Sequence, residues 1–365
     1  MPLSGFFITL FDAETLALYL DKRVYGFHMP PAQTIGPRSR HYQALADYAC
    51  GRNGTHVFFF LKRHIVYGGE ISGPSTYGAF YLNGQNSPLG IKAHAPLVWD
   101  ESSRERYKPS EQLGIFTRPN LRPPANQSPV CQPYLIRFED KLGLKGKTIL
   151  SDELYFELGG YPYPLPTNSI SDMSFCTMTP AEVKLALHLI KQVPQTKSGA
   201  TSAEDIQLNG NPIPFSPELG LSRLDDAESE AHLEASILAN PTLLPAEIRP
   251  GDATLCRQVP MSAFKPYDMD RADVCYYSEP GLEDGSIPDT LVELKIGKAG
   301  KDEADQVLRY VKWLDRRLGA VSRKVRFILL ASGCDFRNWH PPEEYKTRIR
   351  GLAFGSQTRF WQSDP

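Results

Sequence analysis

Between residues 195 and 222 the chain reads QTKSGATSAEDIQLNGNPIPFSPELGLS, a polar run rich in glycine and proline that has no hydrophobic period. Neither a helix face nor a strand face can be written onto it, so the segments on either side must each bury apolar positions of their own. The expectation is two domains, 1–195 and 223–365, joined by a linker over 196–222. A length of 365 residues agrees, because it is long for one compact core. With 41% hydrophobic and 22% charged residues, such cores can be filled, and collagen, coiled coil and global disorder are poor readings. The apolar runs VFFFL at 57–61 and FILL at 327–330 fall far short of the roughly 20 residues a membrane helix needs. The opening MPLSGFFITLFDAETL lacks a basic stretch followed by an apolar core and a small-residue cleavage site, so a cytoplasmic protein without a membrane partner is expected.

Residues 1–195 carry the signals of an α+β domain. A helix is expected near 12–21 and another near 38–50, after which Gly51-Arg52-Asn53-Gly54 supplies a turn. HVFFF, IVYGGEI and GAFYL then read as strands. A helix over 180–192 closes the domain: Thr179 is its N-cap, Pro180 its first residue, and Glu182 completes a capping box. The Pro-, Tyr- and Arg-bearing stretch 103–165 is read as extended connections. The run NGTHVFFFLKRHIVYGGEISG resembles PUA-like domains, the small barrels that include EVE and ASCH modules and often read a nucleotide or modified base. Phe58, Phe59, Phe60, Tyr67, Tyr77, Phe80 and Tyr81 could then form a base-stacking cage, although aromatics at strand spacing more often form core or cross-strand pairs. The cysteines at 50, 131, 176, 256, 275 and 334 include no C-x-x-C pair and read as free, partly buried thiols.

From 224 onward the order is helix (about 226–239), strand TLCRQVP, strand RADVCYY, strand TLVELKI, helix (about 302–318) and strand VRFILLAS, which suits an α/β domain with a central mixed sheet. Along TLVELKI the alternation of a strand puts Leu291, Glu293 and Lys295 on one face. Asp273 lies among apolar neighbours in RADVCYY, and a strand beside 290–296 would bring its carboxylate to Glu293. Two such carboxylates repel and resist desolvation, and a divalent cation, Mg²⁺ or Mn²⁺, is the simplest compensation. Asp273, Glu293 and a backbone carbonyl, that of Leu294, would then be ligands, with Lys295 placed to hold or help deprotonate a water. Glu230, Leu233 and Ile237 share a helix stripe, so Glu230 adds a third acid, with Glu234 one turn on. Asp225, Asp226 and Glu228 are expected in that helix's first turn, and His232 is expected to face solvent. Gln306 and Tyr310, four apart, share a face of the later helix near Arg309 and Lys312.

These residues resemble the PD-(D/E)xK nucleases, and within them the C-terminal domain of NucS (EndoMS) endonucleases, through ESEAHLEASILANPTLL, CRQVP, RADVCYY and LVELKIGKAGKDEADQVLRYVKWL. The resemblance implies a restriction-endonuclease-like domain in which Glu230, Asp273 and Glu293 are metal-site acids and Lys295 is the catalytic lysine. It also makes Gln306 a supporting glutamine and Tyr310 its partner in a Q-x-x-x-Y pattern. Arg257 would approach the scissile phosphate or orient an acid, and DNA contacts are expected from Arg257, Arg309 and Tyr310. The implied reaction is metal-assisted phosphodiester hydrolysis leaving a 5′-phosphate and a 3′-hydroxyl. A homodimer is implied in the same way, since double-strand cuts need two sites. That family has a much smaller N-terminal domain that dimerises and contacts mismatched bases, where about 200 unrelated-looking residues stand here, so its mismatch specificity does not carry over.

Other chemistries lack their motifs. No H-x-x-x-H or H-E-x-x-H pattern, G-x-x-x-x-G-K-[ST] loop or G-x-S-x-G elbow occurs. A formal net charge of -2 argues against coating nucleic acid by bulk charge, yet ten Lys/Arg face four Asp/Glu between 295 and 326, suited to phosphate contacts. The loop SEPGLEDGSIPD is expected to send its acids into solvent. The reading is a metal-dependent DNA endonuclease whose first domain selects modified, mismatched or foreign DNA in defence or repair; the alternative is a non-cleaving nucleic-acid reader.

Overall fold

The computed structural model describes residues 3–10, 13–26, 39–73, 80–82, 115–116, 130–131, 134–144, 149–157, 176–192, 224–227, 229–248, 251–261, 270–278 and 287–354. In order these form β1 (Gly5–Thr9), α1 (Ala13–Lys22), β2 (Val24–Gly26), α2 (Ser39–Cys50), β3 (His56–Leu61), β4 (His64–Ile71), β5 (Phe80–Leu82), β6 (Ile115–Phe116), β7 (Val130–Cys131), β8 (Tyr134–Glu139), β9 (Ile149–Ser151), α3 (Asp152–Glu157), β10 (Cys176–Met178) and α4 (Pro180–Gln192). There follow α5 (Glu230–Ala239), β11 (Ala253–Pro260), β12 (Arg271–Ser278), β13 (Thr290–Leu294), β14 (Lys298–Ala299), α6 (Lys301–Leu318), β15 (Arg326–Ala331), β16 (Gly333–Cys334), α7 (Glu343–Lys346) and β17 (Ile349–Ala353). The expected linker, 196–222, lies outside the described residues.

Two mixed sheets organise the molecule. The first runs β10-β1-β3-β4-β8-β2, with β5 added at β8 and β9 at β4, and among the described residues its path stays open rather than closing into a barrel. Only β1 and β3 are parallel in it. The second runs β11-β12-β13-β15-β17. Its first two pairings are antiparallel and its last two parallel. A parallel neighbour requires a long crossover, and α6 provides it between β13 and β15. That helix is amphipathic: Ala304, Val307, Leu308, Val311 and Leu314 form the buried stripe, while Asp302 and Glu303 open it and Arg316 and Arg317 close it, each sign suited to the helix dipole.

Alternation along each strand sorts the core into layers. Phe7, Phe58, Phe60 and Tyr67 face α4 with Val183 and Leu187, and Leu291, Phe327 and Leu329 face α6. Phe6, Phe59 and Val57 point the other way, into one continuous cluster with Leu233, Ile237, Val274, Val292 and Ile328. That shared layer joins residues from both sides of the expected linker, with α5 against α2. Phe58, Phe59, Phe60 and Tyr67 are therefore core residues and line no open cage. Tyr77 and the side chains of Phe80 and Tyr81 lie outside the described part.

Several local expectations are corrected. The helix after the linker begins at Glu230, because the Ser229 hydroxyl accepts from the His232 N–H at 3.2 Å and caps it there. Asp226 and Asp225 sit in a separate 3-10 turn, Leu224–Asp226, and Glu228 lies outside the described residues. His232 is buried, since α5 is covered on nearly every side from 232 to 239. The stretch 103–165 holds β8, β9 and α3 rather than connections alone. At α4 the capping box forms, with Thr179 N–H donating to Glu182 Oε2 at 2.7 Å and Glu182 N–H to Thr179 Oγ1 at 3.3 Å. Cys50, Cys176, Cys256 and Cys275 are buried free thiols and Cys334 is half-buried.

Candidate active site

The β12–β13 ladder ends at Val274↔Val292, and one further step would set Asp273 opposite Glu293. Two carboxylates directly across a ladder repel. The strands part at that point: the Leu294 N–H donates to Asp273 Oδ2 at 2.7 Å, so a side chain replaces the backbone acceptor. Glu293, 2% exposed, accepts from Lys295 Nζ at 3.1 Å through Oε1 and lies 3.2 Å from the Tyr310 hydroxyl through Oε2. Lys295 Nζ is also 3.5 Å from Glu230 Oε2, at the exposed start of α5. The Tyr310 hydroxyl accepts from Gln306 Nε2 at 2.6 Å and sits 3.0 Å from the Arg271 carbonyl. Glu293, Lys295, Glu230, Gln306 and Tyr310 thus form one connected group, and Asp273 adjoins it.

Burial pushes the Asp273 carboxyl up to about 7, Glu234 adds to the rise, and Lys295, the Leu294 N–H and Gln258 offset only part of it. Glu293 is raised well above the usual carboxyl range, first by burial and then by Asp273. Burial alone would favour a neutral Lys295 amine, but Glu293, Asp273 and Glu230 together outweigh it and hold the ammonium. One hydroxyl has one proton to give. The Glu293 carboxylate and the Arg271 carbonyl therefore compete for the single Tyr310 proton.

Two desolvated carboxyls, Glu293 raised further by Asp273 and Asp273 by Glu234, fit a hard divalent cation, which Mg²⁺ exemplifies by using one or two carboxylates together with waters and phosphate oxygens. Glu230 is brought to Lys295 rather than to the two acids, and among the described residues no group of three or more His, Cys, Asp or Glu could hold a metal ion. Leu294 meets Asp273 through its N–H, which leaves its carbonyl as the candidate ligand.

Arg257 is corrected. It is 1% exposed and presents nothing to a phosphate. Its Nε and Nη2 donate to Glu234 Oε1 and Oε2 at 2.9 and 2.7 Å, and Nη1 donates to Asp47 of α2. Of its two expected uses, orienting an acid is the one its geometry permits, and the acid is Glu234. Tyr310 is likewise buried, so its hydroxyl serves Glu293 and not a DNA surface. Arg309 is half-exposed and engaged: Nε and Nη2 bind Asp270 at 2.7 and 3.0 Å, which pins α6 beside the start of β12.

Gln258 and Asp47 belong to this neighbourhood and were not singled out from the sequence. Neighbours on a regular strand face opposite ways. Gln258 breaks the alternation with a left-handed φ of 52°, and both it and Arg257 reach Glu234. Its Nε2 lies 3.4 Å from Glu234 Oε1 and donates to Asp273 Oδ1 at 2.9 Å. The adjacency of Gln258 to Arg257 in RQVP was the available signal; Asp47, 210 positions from Arg257, had none.

The positive stretch 295–326 divides. Lys298 and Lys301 stand at the Lys295 end, whereas α6, about 27 Å long at 1.5 Å per residue, carries Arg316 and Arg317 to the other. Arg326 pairs with Thr290 while Glu293 pairs with Leu329, so that cluster lies at the opposite end of the strands from the site. The acids Glu279, Glu283 and Asp284 of the loop before β13 lie outside the described residues.

No protein-family model matches the chain, and no curated protein matches it. Among solved structures, the crystal structure of a repair endonuclease from Pyrococcus abyssi is similar to it at 28% identity, with a TM-score of 0.21. The similarity covers 32% of this chain and 48% of that one, less than half of that structure's length. No helix among the described residues is long and apolar enough to cross a membrane.

Proposed function

We propose that this protein is a Mg²⁺- or Mn²⁺-dependent DNA endonuclease whose second half, a restriction-endonuclease-like domain, cuts the strand, while the first half selects modified, mismatched or foreign DNA. The observation that carries the reading is a charged Lys295 that reaches Glu293 at 3.1 Å, with Asp273 one step beyond the end of the β12–β13 ladder, where it accepts from the Leu294 N–H. Asp273, Glu293 and the Leu294 carbonyl would hold the cation. Bound there, it would supply Lewis-acid polarisation of the phosphate and lower the pKa of a ligated water. Lys295 is charged, so in this state it offsets charge that develops on the phosphate and orients the attacking water; Glu230 steadies its ammonium. Tyr310, itself held by Gln306, fixes the rotamer of Glu293.

The test is incubation of the intact chain with Mg²⁺ or Mn²⁺ and plain, mismatched, modified or branched DNA. Cleavage giving 5′-phosphate and 3′-hydroxyl ends, lost in Glu293→Gln, is the expected result; no cleavage of any of them overturns the reading. One observation favours a non-cleaving reader: among the described residues no group of three or more metal donors occurs, and Lys295 is the cation that Glu293 and Glu230 share. Calorimetry separates the two. Cation binding that vanishes in Asp273→Ala supports the enzyme, and DNA affinity with no cation bound supports the reader.

A further inference from the structure

The Asp47–Arg257–Glu234 triad is the most deeply buried ionic group among the described residues, its side chains 0, 1 and 5% exposed. Asp47 comes from α2, in the first half of the chain; Arg257 and Glu234 come from β11 and α5, in the second. The Arg257 backbone is tied across the same boundary, its N–H donating to Thr177 Oγ1 at 3.0 Å and its carbonyl accepting from that hydroxyl at 3.0 Å. A buried charge cluster contributes little net stability, because desolvation cancels most of the attraction, whereas removing one member leaves the others badly placed. What the triad does supply is geometry. Arg257 grips Glu234 with two donors, and its third points at Asp47. From Glu234 the contacts continue through Gln258, held in the left-handed region within a strand, to Asp273 Oδ1.

We propose that Asp47 is a positioning residue for the candidate active site: by fixing Arg257 it fixes Glu234 and Gln258, and through them the orientation of Asp273. The proposal rests on the nuclease reading. It gives the first half a second role besides substrate selection, since the cutting centre is completed only when α2 is docked. Asp47 touches neither substrate nor cation. Its effect is carried entirely by the side chains between.

The test uses the full chain, a duplex that the wild type cleaves, and Mn²⁺ as the titrated cation. Asp47→Asn keeps the shape and removes the charge; Gln258→Ala removes the last link to Asp273. Asp47→Asn is expected to lower kcat or raise the Mn²⁺ concentration for half-maximal rate by about 10–100-fold, the range typical of residues that support metal ligands. KM for DNA stays within about twofold, and the deficit persists at temperatures far below the melting midpoint. In a double-mutant cycle, Asp47→Asn combined with Gln258→Ala should be no worse than the more damaging single variant. Unchanged kcat and Mn²⁺ dependence in Asp47→Asn, additive losses in the pair, or a deficit that follows only the unfolded fraction would each overturn the proposal while leaving the nuclease reading intact. A wild-type chain that cuts no DNA removes that reading, and the proposal falls with it.

Discussion

Glu293 and Lys295 make the sharpest demands at the scale of single residues. Under the nuclease reading, Lys295→Ala removes a donor aimed at developing charge and should lower kcat by about 10²–10³-fold. Tyr310→Phe withdraws one partner of Glu293 and should cost about 10-fold, with little change in KM, in the same steady-state assay. Away from the site, Glu182 offers a test of linkage. Burial pushes its carboxyl from 4.5 up to about 8, with the Thr179 bonds pulling the other way. The folded chain therefore holds a proton that the unfolded chain releases, so this stabilisation is present below about pH 4.5 and lost as pH rises through about 8. Glu182→Gln should melt like the wild type near pH 4.5 and higher than it near pH 9, by about 1–3 kcal/mol, in paired thermal melts. The Glu293–Lys295 pair was legible because a strand period of two needs only adjacent text. Gln258 was not, because its importance comes from a backbone excursion that glutamine does not announce.

Helices α5 and α6 differ at the scale of elements, and the difference explains what could be read. One face of α6 meets a sheet and the other meets water, so its apolar stripe predicted its extent to within a residue. Helix α5 lies between α2 and the second sheet and from His232 to Ala239 has no water face, so periodicity carried little information about its start, and Asp225, Asp226 and Glu228 were read into its first turn. Ser229→Ala should cost about 1 kcal/mol of unfolding free energy, measured by urea titration. Leu329, on the interior strand β15 and wholly buried, should cost about 2–5 kcal/mol when replaced by alanine. β17 went unread: Ile349–Ala353 interleaves arginine and glycine with its apolar residues, and only pairing with β15 makes a strand of it.

For the whole molecule, the polar stretch 195–222 was read as the place where the chain divides, while the way its two sides meet depends on side chains that no local pattern connects. Leu233 and Ile237 share one buried cluster with Phe6 and Phe59. Residues 224–365 produced alone should consequently expose the α2-facing side of α5 and bind a hydrophobic dye that the full chain excludes. The intervening 210 positions between Asp47 and Arg257 also bear on how the protein is made. Asp47 is synthesised long before its partner exists, and closing so long a loop gives nothing back until both ends are in place. Docking of the second half is then a late event in folding, and a nascent chain presents Glu234 and Arg257 only after Asp47, which meets Arg257, has already emerged. Under the nuclease reading, no complete cutting centre exists until the second half has been synthesised and has met α2.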